Sequence, residues 1–209
     1  MKAESALSHC IEKLISKGFR CYEVPTGADA LALFRLLMDE INPATVSFGG
    51  SLTLKEIGIL DELRNRKDVE LIDGFQAHMS REEKWEIRRR GVTAELFLSG
   101  VNAVSEDGSL HWLDMVGNRV APIAFGPKQV ILIVGKNKIV SSKEAAMERM
   151  RSIAPQNAKL HGFQTPCATT GVCVNCNSPE KLCNVQMSIS RCYPQGRIIV
   201  IFIAEELGL

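Results

Sequence analysis

Residues Val130–Val134 read VILIV, five apolar positions in a row of which four are β-branched. A strand with no polar residue on either side has to be covered on both faces, as a strand in the middle of a parallel sheet is. Gly135 ends the run, and Arg197–Ala204 supplies a second central-strand candidate. Phe19–Val24, Thr45–Phe48 and Val69–Ile72 are shorter strand candidates, separated by helical patterns over Ala28–Met38 and from Thr53 to Asn65. Strand, helix, strand, helix, strand within about fifty residues predicts an α/β fold, its mainly parallel sheet flanked by helices.

Local signals sharpen this outline. Ala3, Leu7, Cys10, Ile11, Leu14 and Ile15 recur at spacings that place them on one face of a helix over 2–17, with Gly18 as its stop. Thr26 or Asp29 can cap the second helix. Ser80 and Glu83 form a capping-box pattern that starts a helix toward Arg90, with Trp85 as its large apolar contact. Arg88-Arg89-Arg90 reads as a solvated helix end, with a phosphate or acidic-ligand contact as the alternative. Glu106-Asp107-Gly108 is a turn that predicts a β-hairpin insertion continuing through Ser109–Leu113. A helix over Glu144–Ile153, capped by Ser141 or Ser142, is expected to stop before Pro155. With no repeat or low-complexity linker, residues 1–209 are expected to form one domain, and 161–192 a cysteine-rich excursion from it.

The net charge of +1 gives no basic footprint for nucleic acid. No apolar stretch is long enough to span a bilayer, and none at the N-terminus reads as a signal peptide. Seven cysteines cannot all pair within one chain, so a reducing, cytoplasmic setting is expected.

Four of those cysteines, Cys167, Cys173, Cys176 and Cys183, fall in the segment CATTGVCVNCNSPEKLC with spacing C-x5-C-x2-C-x6-C. Thiolates this close can converge on a soft ion, and the pattern predicts zinc or an iron–sulfur cluster without deciding between them. A reduced or disulfide-bearing loop is the plainer alternative. His161 or Cys192 is the candidate replacement for one of the four ligands. Cys10 and Cys21 are expected to be buried thiols.

A second candidate site lies where a strand hands over to a helix. Gly49-Gly50-Ser51, followed by Thr53 and Glu56, would let backbone approach a ligand and would offer N–H groups and hydroxyls to an anion. A tight turn with an N-cap serine accounts for the same residues. Neither a dinucleotide fingerprint nor a P-loop is present. Asp114, Asn118 and Arg119 could order a polar pocket or pin a loop through a buried ion pair. His111, on a predicted strand, could face a pocket or pack as a neutral imidazole; His9, in the first helix, has no special role, and His78 lies in a loop next to a helix cap.

The segments FGGSLTLKEIGI (48–59), SGVNAVSEDGSLHWLDMVGNRVAPIAFGPKQVILIVGKNKIV (99–140) and the cysteine region through CNSPEKLCNV resemble the LUD-domain family, which includes the C component of bacterial lactate-utilisation systems. The cysteine tail looks like that of stand-alone members. The resemblance implies a fold like that of sugar-phosphate isomerases and CoA transferases. It also implies a small anionic metabolite as ligand, a link to lactate or related 2-hydroxy-acid metabolism, and iron–sulfur or oxidoreductase partner proteins. It carries over the Gly49–Ser51 turn, Glu56, Asp114, Asn118 and Gly135-Lys136-Asn137-Lys138, the two lysines being candidate anion contacts. The C-x2-C-x2-C-x3-C-P runs of the larger B component are absent, so electron transfer through such a region is not implied. The alternative functions are a non-enzymatic subunit or regulatory module with a structural or redox-sensing metal site, and an isomerase or CoA-transferase-like enzyme with Glu56 or Glu106 as nucleophile.

Overall fold

The computed structural model describes residues 2–209, with side chains from Ala6 onward; Ala3, expected on the inner helix face, lies outside the described side chains. The first half of the chain runs α1 (Lys2–Ser16), β1 (Arg20–Val24), α2 (Gly27–Ile41), β2 (Thr45–Phe48), α3 (Leu52–Glu56), α4 (Ile59–Asn65), β3 (Glu70–Ile72), α5 (Arg81–Gly91) and β4 (Leu96–Gly100). The second half runs β5 (Ala103–Ser105), β6 (Ser109–Asp114), α6 (Val120–Ala124), β7 (Gln129–Gly135), a single 3-10 turn at Lys136–Lys138, and β8 (Ile139–Val140). It continues with α7 (Lys143–Leu160), α8 (Pro166–Thr170), β9 (Val185–Ile189) and β10 (Ile198–Ile203).

Six strands form one parallel sheet in the order β1-β10-β7-β4-β2-β3. The two wholly apolar runs, β7 and β10, are neighbours near its middle, paired from Val130 with Ile198 to Gly135 with Ile203. Each strand splits its side chains between two cores. Val130, Leu132, Val134, Val200 and Phe202 face α1 and the hairpin; Ile131, Ile133, Ile199, Ile201 and Ile203 face α2, α3 and α4. The hairpin β5–β6 belongs to a second sheet, β8-β5-β6-β9, which packs Val104, Leu110 and Trp112 toward the large sheet and Ala103 and Leu113 toward Met150 on α7.

Several expectations are corrected. The predicted helix from Thr53 to Asn65 is two helices, because Gly58 takes a left-handed conformation (φ 81°) between them. The helix expected to end at Ile153 continues through a buried Pro155 to Leu160, and α8 packs against it. Ile15, expected on the inner face of α1, is 52 % exposed, whereas Leu7, Cys10 and Leu14 are buried. The excursion 161–192 is not all loop: its end, β9, is a strand of the second sheet, paired with β6. Both capping boxes are present, Thr26 with Asp29 and Ser80 with Glu83.

Candidate functional site

Strand order places β2 beside β4, while the chain leaves β2 toward β3 on one side and leaves β4 toward β7 on the other. A crevice opens where successive connections diverge in this way, beyond the carboxyl ends of the strands. A cavity of about 210 Å³ lies there, lined by Gly50 and Ser51 after β2, Gly100 to Asn102 at the end of β4, and Lys138 after β7. Liquid water takes about 30 Å³ per molecule, so this volume suits a metabolite of a few heavy atoms. Another wall is a rib of α7, Met150, Ile153, Ala154 and Asn157, at helical spacing, continued by His161 just past the helix end.

Among the described residues, three cationic side chains reach the cavity, Arg88, Arg119 and Lys138, against one side-chain carboxylate, Asp114. Asp114 is 6 % exposed, and its Oδ2 accepts from the Arg119 backbone N–H at 3.0 Å. Its Oδ1 accepts from Met115 N–H at 3.0 Å and from Arg119 Nε at 3.4 Å. Arg119 Nη2 donates to the Leu113 carbonyl at 2.7 Å and to Asn102 Oδ1 at 3.4 Å. This is the buried ion pair that pins the loop, and it also holds Arg119 at the rim. The stem of Arg119 lies across Gly49, where a Cβ would stand 2.5 Å from Arg119 Cγ. Gly49 is therefore the position at which backbone and Arg119 pass each other, not a wall of the cavity.

Lys138 is 4 % exposed, and its Nζ donates to Thr53 Oγ1 at 2.8 Å. Among the described residues no carboxylate lies in ion-pair range of it. Burial pushes its pKa down to about 8; Arg149 and Arg119 push the same way, while Glu56 opposes. Arg88 enters from α5, its guanidinium 4.7 Å above the ring of Phe75, which is itself stacked on Phe48 at 5.4 Å. Its stem passes over Gly74, where a Cβ would meet Arg88 Cγ at 2.8 Å. Arg88 Nε is buried without a hydrogen-bond partner, as is Nε of Arg149, and burial lowers the pKa of both guanidinium groups. Arg197 shows what a cation held for structure looks like: its three nitrogens donate to the carbonyls of Pro127, Ile123 and Pro122 at 2.8–3.0 Å.

The other residues singled out in the sequence divide. Ser51 caps α3 by accepting from Leu54 N–H at 3.3 Å, but α3 has only five residues and supplies no helix-terminus anion site. Thr53 and Asn118 line the cavity. Glu56 does not; it is exposed and accepts from Gly208 N–H at 2.6 Å. Asn137 holds the same tail, accepting from Leu207 N–H at 3.2 Å, and Lys136 points to solvent, so of the expected lysine pair only Lys138 reaches the cavity. His111 is the packed imidazole, between Ser105 Oγ at 2.9 Å and Ser188 Oγ at 2.8 Å, its pKa lowered by burial. The arginine run divides: Arg89 and Arg90 are the solvated helix end, while Arg88 turns inward to the cavity. Only its position one turn before the buried Gly91 distinguishes it from the outward Arg89 and Arg90.

Cys167, Cys173, Cys176 and Cys183 are all half-buried free thiols, and Cys183 lines the cavity. Burial raises the Cys183 pKa, as do Cys173 and Cys176, which lie in electrostatic range. Among the described residues, however, no three Cys, His, Asp or Glu side chains come close enough together to hold an ion. As placed, the four sulfurs do not form a ligand set. Cys192 is not a substitute, because it sits in the α1 core with Cys10 and accepts from Ile198 N–H at 3.3 Å. His161 faces the cavity and tilts against Phe163. Cys10 is the buried thiol expected, whereas Cys21, on the first strand at the sheet edge, is only half-buried; burial still pushes the pKa of each up to about 12.

No helix among the described residues is long and apolar enough to cross a membrane. The fold is similar to that of a DUF162 family protein from Deinococcus radiodurans known from its crystal structure. The TM-score is 0.56 and the identity 11 %, with 97 % of this chain and 98 % of that one covered. Among curated proteins no sequence matches. The LUD domain family matches over residues 7–203, nearly the whole chain, and this protein belongs to that family.

Proposed function

We propose that the cavity between β2, β4 and β7 binds a small anionic metabolite, a carboxylate or a phosphate ester. The observation that carries this is the pairing state of its cations. Lys138 has one hydroxyl as acceptor and Arg88 has a buried Nε with none, while the only side-chain carboxylate on the wall among the described residues is already bonded to Arg119. Buried charge left unpaired costs several kcal/mol, roughly, unless something neutralises it. A bound anion would supply the missing acceptors as charge-assisted hydrogen bonds. The link to lactate and other 2-hydroxy acids comes from the family resemblance alone, so lactate, glycolate, malate, pyruvate and inorganic phosphate belong in one thermal-shift panel. At least one should raise the melting temperature of the wild-type chain, and the shift should shrink in Arg88→Leu. A panel without any shift would remove the reading.

A second reading concerns the cysteines. Cys173 and Cys176, both in electrostatic range of Cys183 on a segment with few buried side chains, favour a metal-dependent rearrangement that brings the thiols together. In that state the segment would hold zinc or an iron–sulfur cluster with a structural or redox-sensing role. Anaerobic purification followed by elemental analysis tests it: iron with sulfide, or stoichiometric zinc, would support the site, and metal-free protein after reconstitution would exclude it. CoA-transferase chemistry through Glu56 has less support, because that carboxylate is outside the cavity and bonded to Gly208.

A further inference from the structure

Lys138 is more than a countercharge. Its Nζ is held at one point only, by Thr53 Oγ1 at 2.8 Å, and it lines the cavity with no carboxylate among the described residues in ion-pair range. Gly100 lies beside it. A Cβ at that position would stand 3.8 Å from Lys138 Nζ and 2.7 Å from Ser51 Oγ, so the glycine keeps open the space between an amine and a hydroxyl. Ser51 Oγ accepts from Leu54 N–H, which leaves its own proton free to donate into that space. Arg119 stands at the rim, clamped by Asp114 and the Leu113 carbonyl.

We infer that Lys138 forms a reversible imine with a small aldehyde or ketone that carries a carboxylate or phosphate. Arg119 and Arg88 would take the anionic group and Ser51 would donate to the carbonyl oxygen. This rests on the anion-binding reading and extends it from binding to covalent chemistry. Desolvation and neighbouring cations are the established ways of making a lysine amine nucleophilic at neutral pH. Burial with Arg149 and Arg119 nearby supplies both. In the step, neutral Nζ attacks the carbonyl carbon and the C=O π pair moves to oxygen, which takes up a proton. The resulting carbinolamine then loses that oxygen as water. Amine and carbonyl become imine and water, with no oxidant or reductant consumed.

The test uses the full chain with pyruvate or dihydroxyacetone phosphate as probe and sodium cyanoborohydride as trap, read by intact mass and peptide mapping. The expected result is a reduced adduct on the peptide bearing Lys138, roughly tenfold above any other lysine. Excess inorganic phosphate should suppress it. Lys138→Arg should lose the adduct, and the wild-type chain should show a phosphate-induced thermal shift. A phosphate shift without any Lys138 adduct overturns the imine and leaves anion binding standing. Uniform labelling of surface lysines, indifferent to phosphate, also overturns it. Absence of both adduct and shift removes the underlying reading as well.

Discussion

Replacing Lys138 by methionine should make the empty protein more stable. The lysine titrates at its ordinary 10.5 in the unfolded chain and at about 8 in the folded one, chiefly because it is buried. At about 1.4 kcal/mol per unit, holding the ammonium at pH 7 costs the fold roughly 3 kcal/mol. Methionine keeps most of the aliphatic stem and removes the charge, but leaves Thr53 Oγ1 without its donor, a loss of about 1 kcal/mol. The net gain is about 2 kcal/mol, or roughly 4–8 °C in melting temperature for a chain of this size. Differential scanning fluorimetry at pH 7, without added anion, reads it directly. The same variant should lose most of the anion-induced shift, so that stability and binding move in opposite directions. A Lys138→Met protein that melts lower than wild type would refute the argument, because the buried ammonium would then be paired in the empty state.

Further expectations follow from the same geometry. From pH 8 toward 10.5 the wild-type chain should gain stability relative to Lys138→Met, since its unfolded lysine binds the extra proton in that window; the raised thiols of Cys10 and Cys21 oppose above pH 9 in both chains and cancel in the difference, which chemical denaturation reads. Gly100→Ala puts a Cβ 2.7 Å from Ser51 Oγ and should weaken anion binding about tenfold, measured by calorimetry, with the far-UV spectrum unchanged. Gly126→Ala is the structural counterpart. At φ 125°, with a would-be Cβ 2.0 Å from the Val92 carbonyl oxygen, it should cost more than ~3 kcal/mol or prevent soluble expression, with no special effect on binding in whatever folds.

The sheet was legible because its signals are local. An all-aliphatic run in β7 can satisfy only a doubly covered position, and Ser80 with Glu83 can be recognised as a cap without knowing what the helix packs against. The second sheet was half legible: the β5–β6 hairpin announces itself by its turn, whereas β9 pairs with β6 from Ile189 with Leu110 to Val185 with Asp114, between 71 and 79 residues apart in the chain, and nothing in its own sequence names that partner. At the candidate site, Ser51 and Thr53 were legible because the turn after a strand is where a parallel sheet places ligands; Asp114 and Asn118 stood out as a close polar cluster with Arg119, and Lys138 came from the family resemblance. Arg88 was legible only as the lesser alternative for the arginine run, and the α7 rib was not legible at all. Their inward direction depends on how α5 and α7 rotate against the body, which helical spacing constrains only weakly when the face carries polar side chains. Lys136 and Lys138 differ by two positions, and only the single 3-10 turn between them sends one to solvent and the other inside.

The central claim is that Arg88, Arg119 and Lys138 await an anion, and a crystal structure of the chain grown with saturating phosphate or malonate tests it most directly. The account predicts density for the anion beside Gly100, within hydrogen-bond distance of Lys138 Nζ and at least one of the two guanidinium groups. Water alone in that space, with Arg88 swung out to solvent and Lys138 paired to a protein carboxylate, would contradict it.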